Sequence, residues 1–297
     1  MPSRLLWIVV LLLLLSGCQD RHRQSVQSSI TPKGNAMTQE VTIKLGELGP
    51  DFAKRYGSMV RVTHSTPGVD FYQIDWDKRP RGVVKLDNGK QSLVIEDALG
   101  VQAVQELREL KSEGLNSFSV YAGMSVPSPS LIPHDEARLK IHAILRGILD
   151  AGWKQVIERS EPRLKGKARQ NYMFATSNLN GLDATYTPTF EEWMRVESRT
   201  PWSFYANGVY MEVTFTREPT LTDPAKPGSY LLTFNIKTET EYFRGYAGPD
   251  DRLRWKQVVP QELVKVAALR ASKEAELRAK GVVIDESYQD PPVPVMK

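Results

Sequence analysis

Three groups of side chains in this chain have the types and spacing that catalysis or recognition requires. Asp75 and Asp77 flank Trp76, so on an extended strand both carboxylates share one face. Such an acid pair can hold a cation or exchange protons with a substrate. The following Lys78, Arg79 and Pro80 also let it read as the polar end of a strand. A basic run follows much later: Arg159, Arg163, Lys165, Lys167 and Arg169, interrupted by Glu158 and Glu161. It suits an acidic partner protein, anionic lipid or an envelope polymer, and equally a solvated loop and helix face. The third group is aromatic, from Trp193, Trp202, Phe204 and Tyr205 through Tyr210, Phe215 and Tyr230 to Tyr242, Phe243 and Tyr246. Aromatics anchor interfaces or stack on sugars, but alternating along strands they also build cores and cross-strand pairs. The corner Tyr242, Phe243, Arg244, Gly245 and Tyr246 is expected at the surface. With the basic run, it is assigned to partner binding.

No catalytic residue is assigned. Gly123-Met124-Ser125-Val126-Pro127 lacks the final glycine of a hydrolase elbow, and no Walker loop, Ser-x-x-Lys, His-Glu-x-x-His or dinucleotide fingerprint occurs. The four histidines, at 22, 64, 134 and 142, have no metal-ligand spacing. No metal and no cofactor is expected.

The elements that position these groups follow an N-terminus with its own logic. Arg4, an unbroken apolar run from Leu5 to Leu15, and then Ser16-Gly17-Cys18 form an export signal. The run is shorter than the roughly 20 residues of a membrane span. Leu15-Ser16-Gly17-Cys18 resembles the lipobox of bacterial lipoprotein precursors. The resemblance covers the signal alone. It implies cleavage before Cys18, diacylglycerol on its sulfur, and an acylated (palmitate-type) N-terminus as membrane anchor. Gln19 after the cysteine, rather than Asp, points within that resemblance to the periplasmic face of the outer membrane. Cys18 is the single cysteine, so neither a disulfide nor a cysteine nucleophile is expected in the fold.

Removing the first 17 of 297 residues leaves 280, 41% of the whole chain being hydrophobic and 25% charged, the balance of a globular protein. The net charge of +4, reduced to +3 without Arg4, does not call for nucleic acid. Residues 18–40 read as the lipidated cysteine and a flexible tether spanning roughly 25 Å.

Beyond the tether, alternation predicts strands at 59–62, 69–76, 82–86 and 92–95, with Asn88-Gly89 as a hairpin signal between the last two. Leu99, Val101, Val104, Leu107 and Leu110 predict a helix from Asp97 to Glu113, and a strand follows at 117–121. Residues 123–133, with three prolines, are the expected crossing between halves. The stripe Ala137, Ile141, Ile144, Leu145, Ile148 and Leu149 predicts a helix over 134–151. Further expectations are a strand at 153–157, a helix at 190–197, a second Asn-Gly hairpin at Asn207-Gly208, a long strand from Tyr230 to Tyr242, and a helix over 260–280. The last stretch, 286–297, reads as a frayed Pro-rich tail. The expected fold class is α+β: antiparallel sheets with packed helices, in two similar-sized halves, 41–126 and 134–285.

These readings favour a membrane-anchored periplasmic lipoprotein acting as a protein-binding module. One concrete form is an immunity protein that neutralises a periplasmic toxin. The alternatives are an envelope enzyme acting on cell wall or lipid through Asp75 and Asp77, and a structural lipoprotein of an envelope complex.

Overall fold

Polar–apolar alternation becomes strand and the one long apolar stripe becomes a helix. The computed structural model describes residues 39–76, 80–124, 131–176 and 181–296. The signal, Cys18, most of the tether, Asp77 and residues 125–130 of the expected crossing lie outside them. In chain order the elements are β1 (Glu40–Ile43), α1 (Gly49–Tyr56), β2 (Arg61–Thr66), β3 (Val69–Asp75), β4 (Gly82–Leu86), β5 (Leu93–Glu106), β6 (Ser117–Gly123) and β7 (Leu131–Ile132). Next come α2 (His134–Asp150), β8 (Lys154–Val156), α3 (Gly166–Thr176), α4 (Phe190–Arg195), β9 (Trp202–Ala206), β10 (Val209–Arg217) and β11 (Gly228–Thr238). Two last helices, α5 (Glu239–Ala247) and α6 (Trp255–Ala279), close the order. The protein is α+β.

One mixed sheet joins the strands in the order β1-β4-β5-β6-β11-β10-β9-β8, with β3 also on β5 and β2 on β3. Strands of the stretches 41–126 and 134–285 meet where β6 pairs with β11. β1 lies parallel to β4, and the other pairings are antiparallel.

The residues expected as a helix from Asp97 to Glu113 are instead the second part of β5, followed by a 3-10 turn at Lys111–Glu113. The reason is in the register. β5 gains one residue on β4 between Ile95 and Ala98, and one on β6 between Ala98 and Gly100. Each extra residue is a bulge, and Asp97 takes a positive φ of 53° there. Buried residues therefore fall three apart, at Ile95, Ala98 and Val101, which imitates helical spacing.

Two further expectations are corrected. The strand expected to reach Tyr242 ends at Thr238, whose hydroxyl accepts from the Glu241 amide at 3.1 Å and starts α5. A Thr-x-x-Glu sequence is a helix-start signal, and it stands in the chain as Thr238 to Glu241. The tail expected to fray is docked through residue 296: the Tyr288 hydroxyl accepts from the Ile157 amide at 2.8 Å, and Asp290 pairs with Arg270 at 2.7 Å.

The turn at Asn207-Gly208 is a two-residue hairpin with φ of 49° and 76° at the two positions, a pair of positive values that Asn-Gly is suited to adopt. Asn88-Gly89 serves a longer connection, in which the buried Asn88 amide donates to the Ala206 carbonyl at 3.1 Å.

Most of the core lies on one face of the sheet, beneath α1, α2 and α4, and includes Phe52, Phe118, Leu145, Trp193, Trp202, Phe204 and Phe215. A smaller cluster sits on the other face at the β8–β10 end, where Val156 and Tyr210 meet Phe243 of α5 and Trp255 and Val259 of α6.

Candidate functional site

Strand alternation decides what the second face carries. Where Tyr72, Ile74, Phe118, Val120, Phe234 and Ile236 point into the core, their neighbours Gln73, Ser119 and Asn235 point the other way. The pairing then lines these neighbours up. Arg61 opposes Gln73, Gln73 opposes Gln102, Gln102 opposes Ser119, Ser119 opposes Asn235, Asn235 opposes Glu212 and Glu212 opposes Ser203. The result is a straight row of polar residues across seven strands, roughly 29 Å wide at about 4.8 Å per strand. Its middle is uncharged.

A parallel row holds Asp75, Gly100, Tyr121, Thr233 and Thr214. A third runs from Phe71 through Val104, Ser117 and Lys237 to Tyr210 and Tyr205. Hydrogen bonds between neighbours fix this face in place. The Ser119 hydroxyl donates to Asn235 Oδ1 at 2.9 Å, and Gln73 Nε2 donates to Asp75 Oδ1 at 2.8 Å. The Tyr121 hydroxyl donates to Gln102 Oε1 at 3.4 Å.

At one end of the rows α5 stands over the sheet and forms a cleft of about 360 Å³, lined by Glu158, Ser203, Tyr210, Glu212, Asn235, Lys237 and Tyr242 among others. Tyr242 stacks flat on Tyr210, with ring centroids 3.6 Å apart and planes 2° from parallel. The Tyr246 hydroxyl donates to Glu158 Oε1 at 2.7 Å. Burial first, then the nearby carboxylate and phenols, pushes the Tyr242 and Tyr246 hydroxyls far above their ordinary values. These tyrosines are neutral donors at any physiological pH. They therefore suit recognition better than proton transfer, which works best with a group that titrates near the operating pH.

The residues singled out in the sequence are distributed differently from expectation. The basic run is engaged within the chain. Arg163 holds Glu274 through its backbone amide, Nε and Nη2 at 3.0, 2.8 and 2.7 Å, and reaches Glu286 at 3.0 Å. Arg159 donates to the Pro291 carbonyl at 2.7 Å. Lys165 and Lys167 lie 3.6 and 3.5 Å from Asp285 and Glu192. Arg169 is buried and donates to the carbonyls of Gly181 and Pro162. The aromatic corner forms α5 rather than an exposed turn: Phe243 and Arg244 are buried, Arg244 binding Glu113, while Tyr242 and Tyr246 are half-buried at the cleft.

Asp75 ends β3 and is bound by Arg61 at 3.0 Å and by Gln73. Its expected companion Asp77 lies outside the described residues. His142 is buried against Trp193 and Trp202, with neither ring nitrogen hydrogen-bonded among the described residues. Burial, with Arg146 and Arg138 nearby, pulls its pKa down to about 4. His134 bonds the Tyr230 hydroxyl, and His64 bonds Asp70. No cluster of three metal-ligating side chains occurs among the described residues.

The polar rows went unread in the sequence, although their signal is visible as Ser117, Ser119 and Tyr121 alternating with Phe118 and Val120. Alternation gives each strand its two faces. Only the register turns separate strands into a row.

No family model, characterised protein or solved structure matches this chain.

Proposed function

We propose that this protein is a lipid-anchored envelope module that captures another protein on the open face of its sheet. The lipobox resemblance and the tether supply the anchor and its reach. The observation that carries the capture reading is the in-register polar face, whose centre holds uncharged amides and hydroxyls rather than charged chains.

The physical argument concerns what binding would cost. Ordering a long, mobile side chain at an interface takes about 0.5–1.5 kcal/mol. Ser119 and Asn235 are short, and these two with Gln73 and Gln102 are already held by neighbours, so little order remains to be imposed. From β2 to β11, outside the end that α5 covers, three rows present on the order of 400 Å², about half of the roughly 800 Å² per partner of a standard interface. Phe71 at one end and the tyrosine cleft at the other provide the aromatic anchors that interfaces favour.

The test is recovery of the acylated protein from its native envelope, with mass spectrometry of what stays bound. Wild type is compared with the Ser119→Arg/Asn235→Arg double variant, which sets two large cations in the middle of the face. A protein retained stoichiometrically by wild type and lost by the variant supports the reading, and its identity separates a toxin neutraliser from a component of an envelope complex. Equal recovery by both, or none by wild type at native expression, sinks it. Loss of palmitate labelling in Cys18→Ser tests the anchor separately.

A further inference from the structure

Residues 289–296 dock on the body without joining the sheet or forming a helix. The segment contains Pro291-Pro292-Val293-Pro294. Pro291 and Pro294 are half-buried, whereas Pro292, Val293 and Val295 are exposed. Three residues make one turn of a polyproline II helix, so residues three apart share an edge. Here that edge faces the protein.

What it faces is aromatic and hydrogen-bonding. Arg159 donates to the Pro291 carbonyl at 2.7 Å while its guanidinium lies 5.4 Å from the centre of the Phe243 ring. Met296 packs on the cluster of Val156, Tyr210, Phe243, Trp255 and Val259, as Tyr205, Tyr242 and Tyr246 also do. Tyr205 and Asn207 face Pro291 and Pro292 across a cleft of about 580 Å³. The segment's ionic clamp is Asp290, which accepts from Arg270 at 2.7 and 3.1 Å and lies 3.5 Å from Arg159. Aromatic grooves with a donor for a proline carbonyl are the usual receptors of PxxP peptides, because a preformed extended helix loses little entropy on docking.

We propose that this groove recognises a proline-rich extended peptide, filled in cis by Pro291-Pro292-Val293-Pro294 and in trans by the proline-rich segment of a protein partner. The existence of such a partner rests on the capture reading; the peptide-binding property of the groove does not. A segment tethered beside its own site acts at millimolar effective concentration, so the groove stays closed to a competitor until the clamp at Asp290 opens.

The probe is a synthetic peptide of residues 287–297, titrated into the full chain and into a chain ending at Gln289. The shortened chain is expected to bind it one to one, at least about tenfold tighter than the full chain does. A peptide carrying Pro291→Ala and Pro294→Ala is expected to bind more weakly. The full-length Pro291→Asp/Pro294→Asp variant spoils the cis fit while leaving every groove residue in place, and it too is expected to gain peptide binding. No binding to either variant in folded form, or equal binding of the alanine peptide, overturns the proposal. The Ser119→Arg/Asn235→Arg variant should close and open the groove as wild type does, so failure of the capture reading and failure of this one are seen separately.

Discussion

The two faces of this sheet are made by the same strands, and they use polar side chains in opposite ways. On the helix-covered face polar groups are few, buried and bound up with the core: His142 between Trp193 and Trp202, His134 on Tyr230, Arg217 reaching the Trp193 carbonyl. On the open face they are many and in rows. The basic run between β8 and α3 teaches the same lesson in another place. Its charge looked available for a partner, yet Arg159, Arg163 and Arg169 are taken up within the chain, while Lys165 and Lys167 stay exposed beside Asp285 and Glu192. Availability depends on which acid, carbonyl or ring folding brings alongside. Changes on the covered side should therefore alter stability, and changes on the open side should alter binding.

The largest expected effect comes from the covered face. Trp193 is fully buried, with its ring 4.6 Å from Phe215 and stacked at 6.0 Å on Tyr230. Trp193→Ala should lose about 3–5 kcal/mol of stability through lost contacts and the cavity left behind, read from urea denaturation. A loss below about 1 kcal/mol would mean the face is not packed as described.

Next is Arg163→Ala. It removes the two guanidinium bonds from the buried Glu274, whose carboxyl the Arg163 hydrogen bonds hold below its ordinary pKa, and leaves it the residue-163 amide and Arg278 at 3.5 Å. Losing charge-assisted hydrogen bonds to a buried carboxylate that keeps other partners costs about 1.5–3 kcal/mol. If the run were instead a partner surface, the variant would keep its stability and lose capture.

His142 gives a pH signature. Its pKa in the folded protein, about 4, lies below the ordinary 6.5, so the unfolded chain binds a proton in this window that the folded one does not. The stability this represents is fully present above about pH 6.5 and is lost as pH falls toward 4, amounting to about 3 kcal/mol at most. His142→Leu should flatten that slope by up to one proton, measured as midpoint against pH. An unchanged slope places the titration elsewhere.

The smallest expected effect on stability is on the open face. Ser119→Arg/Asn235→Arg should shift unfolding by about 1 kcal/mol, from the lost bond between them and two like charges set directly opposite. A large loss would show that the rows are part of the folding core rather than a surface kept open.

How much of this could be read from the residues varies with the reach of the physics. Helix α2 was legible because its stripe is local and long. The turn at Asn207-Gly208 was legible because two adjacent residues there take positive φ. β5 was not, because two bulges turned a period of two into apparent threes, and the bulges exist only against the partners β4 and β6. The end of β11 was misread although Thr238 and Glu241 carry a helix-start pattern, since apolar alternation continued past it. The acid pair reduces, among the described residues, to Asp75 in the company of Arg61 and Gln73.

Residue pattern was enough for the α+β class, the two faces of strands such as β11, and the helices α2, α4 and α6, because these depend on residues within a turn or two of one another; α1, α3 and α5 were not marked by it. The tertiary structure alone decided the register that lines Gln73, Gln102, Ser119 and Asn235 into one row. It alone decided the pairing of Arg163 with Glu274, 111 residues apart, and the docking of the proline segment. Each of these joins groups that nothing local holds together, and their positions follow only once burial of the core has fixed the sheet.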